Sequence, residues 1–248
     1  MYRAIVFDLF DTLVNFNHSN PPSVEINGVE VKSISAPVYR VFSQAFGHMD
    51  FNRFQRAFIE SYEEIEREKK KEYKELYAGE RFRLMLTKLN IGADKSFLED
   101  LVEDMVVAHM ETIFNSVSFP KENRDILLAI KEKNYRIALL SNFDHAPTAY
   151  RILDAFGIKN FFDTIVISVE FGWRKPKPCV FNKVLSSLGV AAEEAIFVGD
   201  SFEADVIGVK WVGMSAIWVN KRNESLKTRA LAPDYVVSRL PEIKEILL

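Results

Sequence analysis

The sequence predicts an α/β fold: a doubly wound parallel-sheet core with an all-helical domain inserted after the first strand. Three observations carry that expectation. Short apolar runs recur, each ending at a small or acidic residue: Ala4 to Phe7 before Asp8, Ile137 to Leu140 before Ser141, and Ala195 to Val198 before Gly199 and Asp200. Past Pro120 such runs alternate with helix-period segments, the pattern of a parallel sheet covered on both faces. Between the first run and the second lies a long stretch of mostly helix-period sequence.

Each element has its own local cause. Ala4 to Phe7 is unbroken apolar sequence, as a strand buried on both faces requires. After a loop rich in Asn, Ser and Pro, Val24 to Val31 alternates apolar and polar residues about Asn27-Gly28, a hairpin signal. Pro37 opens a helix with Val38, Val41, Phe42 and Ala45 on its inner face and Gly47 as its stop. Asp50 caps the next, whose inner face is Phe51, Phe54, Phe58, Tyr62 and Ile65. A third carries Phe82, Met85, Leu86 and Leu89 and ends before Gly92. Asp94 caps a fourth, with Phe97, Leu98, Leu101, Val102, Met105 and Met110 inward. Glu63 to Glu75 mixes both charge signs at helical spacing and reads as a solvated face.

In the second half, helices are expected at 121–133, from Pro147 to Gly157, from Pro178 to Gly189, and from the Asp200 loop to Gly213. Strands are expected at 137–140, 164–168, 195–198, 215–219 and 235–237, with a short terminal helix. The resulting division is a core of residues 1–16 and 117–248 and an insertion of residues 17–116.

Composition narrows the function class. At 248 residues and 48% apolar content, the chain can bury a sizeable core. A net charge of −3 gives no electrostatic case for nucleic acid. A single cysteine, Cys179, excludes an internal disulfide and a cysteine-rich metal site and suits a reducing compartment. The N-terminal apolar run is short and enters an acidic segment, unlike a signal peptide. No apolar run reaches the ~20 residues that span a bilayer, so a cytoplasmic, membrane-free protein is expected.

Ligands of open parallel sheets bind beyond the carboxyl ends of the strands. Asp8, Ser141 and Asp200 all stand there. A carboxylate at Asp8 can attack an electrophile and form a covalent intermediate; alone, it also reads as a solvated turn residue. Asp200 and Asp205, with Asp8, make an oxygen-rich pocket of the kind Mg²⁺ takes; separately, Asp200 reads as a helix cap and Asp205 as an exposed helix residue. Lys175, between Arg174 and Pro176, can neutralise charge on a transferring group, or belong to a plain basic cluster with Lys177. Ser141 and Asn142 can hold a phosphate oxygen, or simply form a turn.

Jointly, Asp8-Leu9-Phe10-Asp11-Thr12-Leu13, Ser141-Asn142, Lys175-Pro176 and the Gly199 to Asp205 segment resemble the motifs of the haloacid dehalogenase superfamily. The resemblance implies a Rossmann-like core with a flap hairpin and a helical cap placed after the first motif. It implies Asp8 as nucleophile, Ser141 and Lys175 as phosphate-holding and charge-stabilising residues, and Asp8, Asp200, Asp205 and the backbone carbonyl of Phe10 as Mg²⁺ ligands. The implied function is a Mg²⁺-dependent phosphatase of a small phosphorylated metabolite, working through an aspartyl phosphate while the cap closes over the substrate. One position departs from the phosphatase pattern: where such enzymes carry an acid two residues after the nucleophile, this chain has Phe10, and the acid stands one later, at Asp11. That departure leaves open a metal-free 2-haloacid dehalogenase or a catalytically weak binding protein, and makes Asp11 the candidate substitute acid.

The remaining signals are local. His145 is expected to begin a helix and His109 to pack against an apolar face. Cys179 is read as a small buried residue.

Overall fold

The computed structural model describes residues 2–17, 21–26, 28–225 and 231–248. By contact density the chain forms two compact units, Met1–Phe16 with Ser118–Leu248, and Asn17–Val117.

The first unit is built on a six-stranded sheet. Its strands are β1 (Ala4–Phe7), β6 (Arg136–Ser141), β7 (Thr164–Ile167), β8 (Ala195–Gly199), β9 (Ser215–Val219) and β10 (Tyr235–Val237), in the order β10-β9-β8-β1-β6-β7. The pairings are parallel, and β1 lies in the middle with Phe7 level with Leu139 on one side and Val198 on the other. All four residues of β1 are fully buried, which explains its unbroken apolar sequence. Helices α5 (Lys121–Glu132), α6 (Ala146–Ala155), α7 (Ser168–Phe171), α8 (Pro178–Leu188), α9 (Gly208–Trp211) and α10 (Lys244–Leu247) connect the strands or follow them. Pro178 opens α8, and Gly189 ends it at φ 63°, a left-handed angle that glycine adopts freely. One face of the sheet, with Val6, Ala138, Phe197 and Trp218, buries Phe181, Val184 and Leu188 of α8. Each such side chain contributes roughly 1.5–3 kcal/mol by leaving water. Ser168, expected to end a strand, instead starts α7, a one-turn helix without a periodic signal.

The second unit holds the hairpin β3 (Ser23–Ile26) and β4 (Val29–Lys32), with α1 (Ala36–Phe46), α2 (Phe51–Glu72), α3 (Ala78–Lys88) and α4 (Lys95–Asn115). The hairpin is antiparallel in the expected register; the turn residue Asn27 lies outside the described residues. Two-residue strands β2 (Asn15–Phe16) and β5 (Val117–Ser118), which lack a sequence signal, stand where the chain leaves and re-enters the first unit. Asp50 and Asp94 cap α2 and α4 through their carboxylates. No helix among the described residues is long and apolar enough to cross a membrane.

Four inner-face expectations fail in the helical unit. Tyr62 and Phe97 are exposed, and Val41 and Ala45 line a surface groove between α1 and α4. The helices bury narrower stripes than the apolar sequence offers, centred on Phe42, Phe54, Phe58, Met105 and Met110. The Glu63 to Glu75 segment is not wholly solvated either. Lys69 and Glu75 are buried and pair at 3.0 Å, with Glu66 3.2 Å from the same ammonium.

His109 packs edge-on between the rings of Phe58 and Phe82. Arg81 lies 3.4 Å from its Nε2, and its buried Nδ1 has no partner among the described residues. Burial, then the Arg81 charge, lowers its pKa from 6.5 to about 3. The unfolded chain therefore binds this proton below pH ~6.5 while the folded one does not, so stability falls as pH drops through that window. Chemical denaturation is expected to show an acid-side loss of at most about 1.4 kcal/mol per pH unit from this group. His109→Gln, which keeps an acceptor for Arg81, should flatten it.

Candidate active site

The three central strands end together. Asp8 follows β1, Ser141 closes β6, and Asp200 follows β8. The order of strand addition reverses at β1, since the chain runs from β1 to β6 and β7 and then returns to β8 on the other side. Such a switch point opens a crevice at the strand carboxyl ends. The Asp8 N–H donates to the Val198 carbonyl at 2.9 Å, which ties the first loop to β8.

Lys175 organises the pocket. Its Nζ lies 2.6 Å from Asp8 Oδ1 and 2.7 Å from Asp205 Oδ1, and all three side chains are about nine-tenths buried or more. The Phe197 ring lies 4.9 Å from the same ammonium. Asn142 fixes the Lys175 backbone from both sides: its Oδ1 accepts the Lys175 N–H at 2.8 Å, and its Nδ2 donates to the Lys175 carbonyl at 3.0 Å. Asp205 sits in a π-helical turn at Phe202–Ile207, where its Oδ2 accepts the Ser201 N–H at 2.9 Å. Gly199 allows this approach, because a Cβ there would overlap the Asp205 carboxylate.

Asp8, Asp200 and Asp205 each offer a carboxylate oxygen within 4.8 Å of the others. Burial raises the Asp8 carboxyl to about 6, with Lys175 pulling it down and Asp205 pushing it up. Burial raises Asp200 further, to about 8, helped by the charges of Asp8 and Asp205. Burial opposes the Lys175 ammonium, but Asp205 and Asp8 outweigh it and hold its pKa above the usual value. Three acids thus crowd around one lysine, and the charge deficit lies on the Asp200 side. A hard divalent cation fits that donor set and would offset the burial and the repulsion that together raise Asp200.

Ser141 is fully buried, and its Oγ finds no partner among the described residues; Thr12 Oγ1 is in the same condition. Leaving such a hydroxyl unpaired costs about 1–3 kcal/mol, which a bound oxygen would offset. Asp11 takes a left-handed φ of 55°, and its Oδ1 accepts the Phe16 N–H at 3.3 Å. Its charge contributes to the raised pKa of Asp200, so the two acids are within electrostatic reach.

Some residues near the site were not assigned from sequence. The Phe143 ring meets Phe10 at 4.8 Å, and Trp218 Nε1 donates to the Asp200 carbonyl at 2.8 Å. Lys221 reaches Asn15 Oδ1 at 2.5 Å and feels the charges of Asp11 and Asp200. Phe143 and Lys221 each stand just past a strand carboxyl end, the rule that found Asp8, and so were findable by it. His145 caps α6 through Nδ1, and Lys177 lies over the Trp173 ring at 3.2 Å. Cys179 is half-buried against the α8 core rather than fully buried.

Comparison with known proteins places this geometry in context. A family model described as haloacid dehalogenase-like hydrolase matches residues 2–213. A glyceraldehyde 3-phosphate phosphatase from Pyrococcus furiosus is 32% identical over 57% of the chain, and the match spans only 60% of that protein's own length. One of the same name from Methanopyrus kandleri is 28% identical over 100% of the chain and 97% of its own length. Among solved structures, a 2-haloacid dehalogenase from Pseudomonas syringae superposes with a TM-score of 0.72 at 20% identity, covering 100% of this chain and 98% of that one; it shares the fold.

Proposed function

The chain belongs to the haloacid dehalogenase-like hydrolases, and from that premise we propose that it is a Mg²⁺-dependent phosphatase of a small phosphorylated metabolite. The observation that carries this reading is the cluster of Asp8, Asp200 and Asp205 about Lys175. Displacing halide from carbon brings no phosphate charge to neutralise, whereas phosphoryl transfer needs cations around the moving group. Phosphatase names among the relatives support the same reading.

Asp8, Asp200 and the carbonyl of Phe10 would hold the Mg²⁺, which when bound neutralises charge on the phosphoryl oxygens. Asp205 completes the acidic cluster, and its bonds to Lys175 and Ser201 make it the residue that positions both. Lys175 holds Oδ1 of Asp8, so Oδ2 attacks phosphorus. The bond from phosphorus to the alcohol oxygen breaks, and that oxygen takes up a proton, with Asp11 or water as donor. The unpaired Ser141 hydroxyl donates to a phosphoryl oxygen. Asn142 assists by holding Lys175 and meets the phosphate through the backbone of its loop. Water then attacks phosphorus of the aspartyl phosphate, releasing phosphate and restoring Asp8. Residues 1–16 and 117–248 are the catalytic core in this reading, residues 17–116 the flap and cap, and the cytoplasm the place of action.

Phosphate release from an aryl phosphate should require Mg²⁺ and fall to background in EDTA. Recovery on adding Mg²⁺ back is expected. Halide release from 2-haloacids that EDTA does not change would replace this reading with the dehalogenase one, which Phe10 favours.

A further inference from the structure

Three rings gather beside the acidic pocket. Phe10 stands two residues past Asp8, and Phe143 stands two residues past Ser141, on loops that leave the adjacent strands β1 and β6. Their centroids are 4.8 Å apart, and Phe16 stacks on Phe10 at 5.0 Å with 20° between planes. Both loops are pinned. The Phe16 N–H donates to Asp11, and the Phe143 N–H donates to Ser168 Oγ at 2.8 Å. All three residues remain partly exposed although the sheet core lies close by. A held, partly exposed aromatic cluster beside charged groups offers a recognition surface.

We propose that Phe10, Phe16 and Phe143 form the wall that receives the leaving group, and that the preferred substrates are phosphate monoesters of aromatic alcohols. The proposal rests on the phosphatase reading above and names its substrate class. Two physical arguments converge on it. Aromatic rings favour an aromatic partner through offset and edge-on contacts. The ring at Phe10 also cannot donate a proton, and phenols, with a pKa of about 10, leave without one far more readily than alcohols whose acidity is near that of water, about 15.7. The reaction balances without a further reagent: the phosphorus–oxygen bond of the ester breaks, the phenolate departs and is protonated by solvent, and water later frees the phosphate from Asp8.

The test compares phenyl, cyclohexyl and glycerol phosphates on the Mg²⁺-loaded full chain. Cyclohexyl phosphate matches the ring in size but not in aromaticity or leaving-group acidity. The expected order of kcat/KM is phenyl, then cyclohexyl, then glycerol. Phe143→Ala should lower the phenyl-to-glycerol ratio about tenfold, and Phe143→Leu, which preserves packing, should lower it in the same direction. Hydrolysis that depends on Asp8 but shows no aryl preference, or a ratio unchanged in both variants, overturns the aromatic wall and leaves the phosphatase reading standing. No hydrolysis above an Asp8→Asn control overturns both.

Discussion

Asp8→Asn is expected to lower phosphate release by a factor on the order of 10⁴ or more, with the fold intact. The side chain is isosteric, and an amide oxygen can still accept from Lys175 as Oδ1 does now. What disappears is the negative oxygen that attacks. Asp8 is a strained charge, raised to about 6 by burial and by Asp205, so its neutralisation should leave thermal stability equal or higher. The check pairs single-turnover phosphate release with a melting curve. Retained turnover would remove Asp8 from the nucleophile role, and a collapsed melt would make the lost turnover uninformative.

Lys175→Met should cost both activity and stability. It leaves Asp8 and Asp205 buried with their shared cation gone, and breaking a buried ion pair from one side typically costs about 3–5 kcal/mol. Turnover should fall by about 10²–10³, the usual loss when a fixed stabilising donor is removed. The stability loss carries a sign in pH. Lys175 is a cause that lowers the Asp8 pKa, so its removal raises that pKa further above the unfolded value. A carboxyl raised in the folded state stabilises fully below its unfolded pKa of about 3.9 and loses that contribution as pH climbs through the folded value. In EDTA the variant should therefore melt higher at pH 5 than at pH 7.5, relative to the parent. Equal deficits at both values would mean that Lys175 does not restrain these acids.

Much of the core was legible because its signals are local. An unbroken apolar run marks β1, Pro178 and Gly189 bracket α8, and strand-end positions select Asp8, Ser141 and Asp200. What escaped depends on which distant neighbour a side chain meets. Periodicity along α2 and α4 shows an apolar stripe but not how much of it a partner covers, so Tyr62 and Phe97 were placed inward. The charged pattern through Lys69 gave no hint that Glu75 would fold back beneath it. Asp205 looked like an exposed helix residue in isolation because the reason for its burial is a lysine thirty residues earlier. Phe10 was visible as a departure, but its meeting with Phe143 required the pairing of β1 with β6.

The central place of β1 also bears on how the chain is made. Its two neighbours in the sheet enter at Arg136 and Ala195, so β1 waits for a long stretch of later sequence before either edge is paired. Until then Ala4 to Phe7, wholly buried in the finished protein, is an open apolar edge, the kind of segment that aggregates or recruits a chaperone. The helical unit is contiguous at Asn17–Val117, so the residues that make its own contacts are all available before β6 is made. The return of β8 pairs the second edge of β1 and is the same event that brings Asp200 and Asp205 to Asp8, so a nascent chain has no assembled pocket before β8 docks.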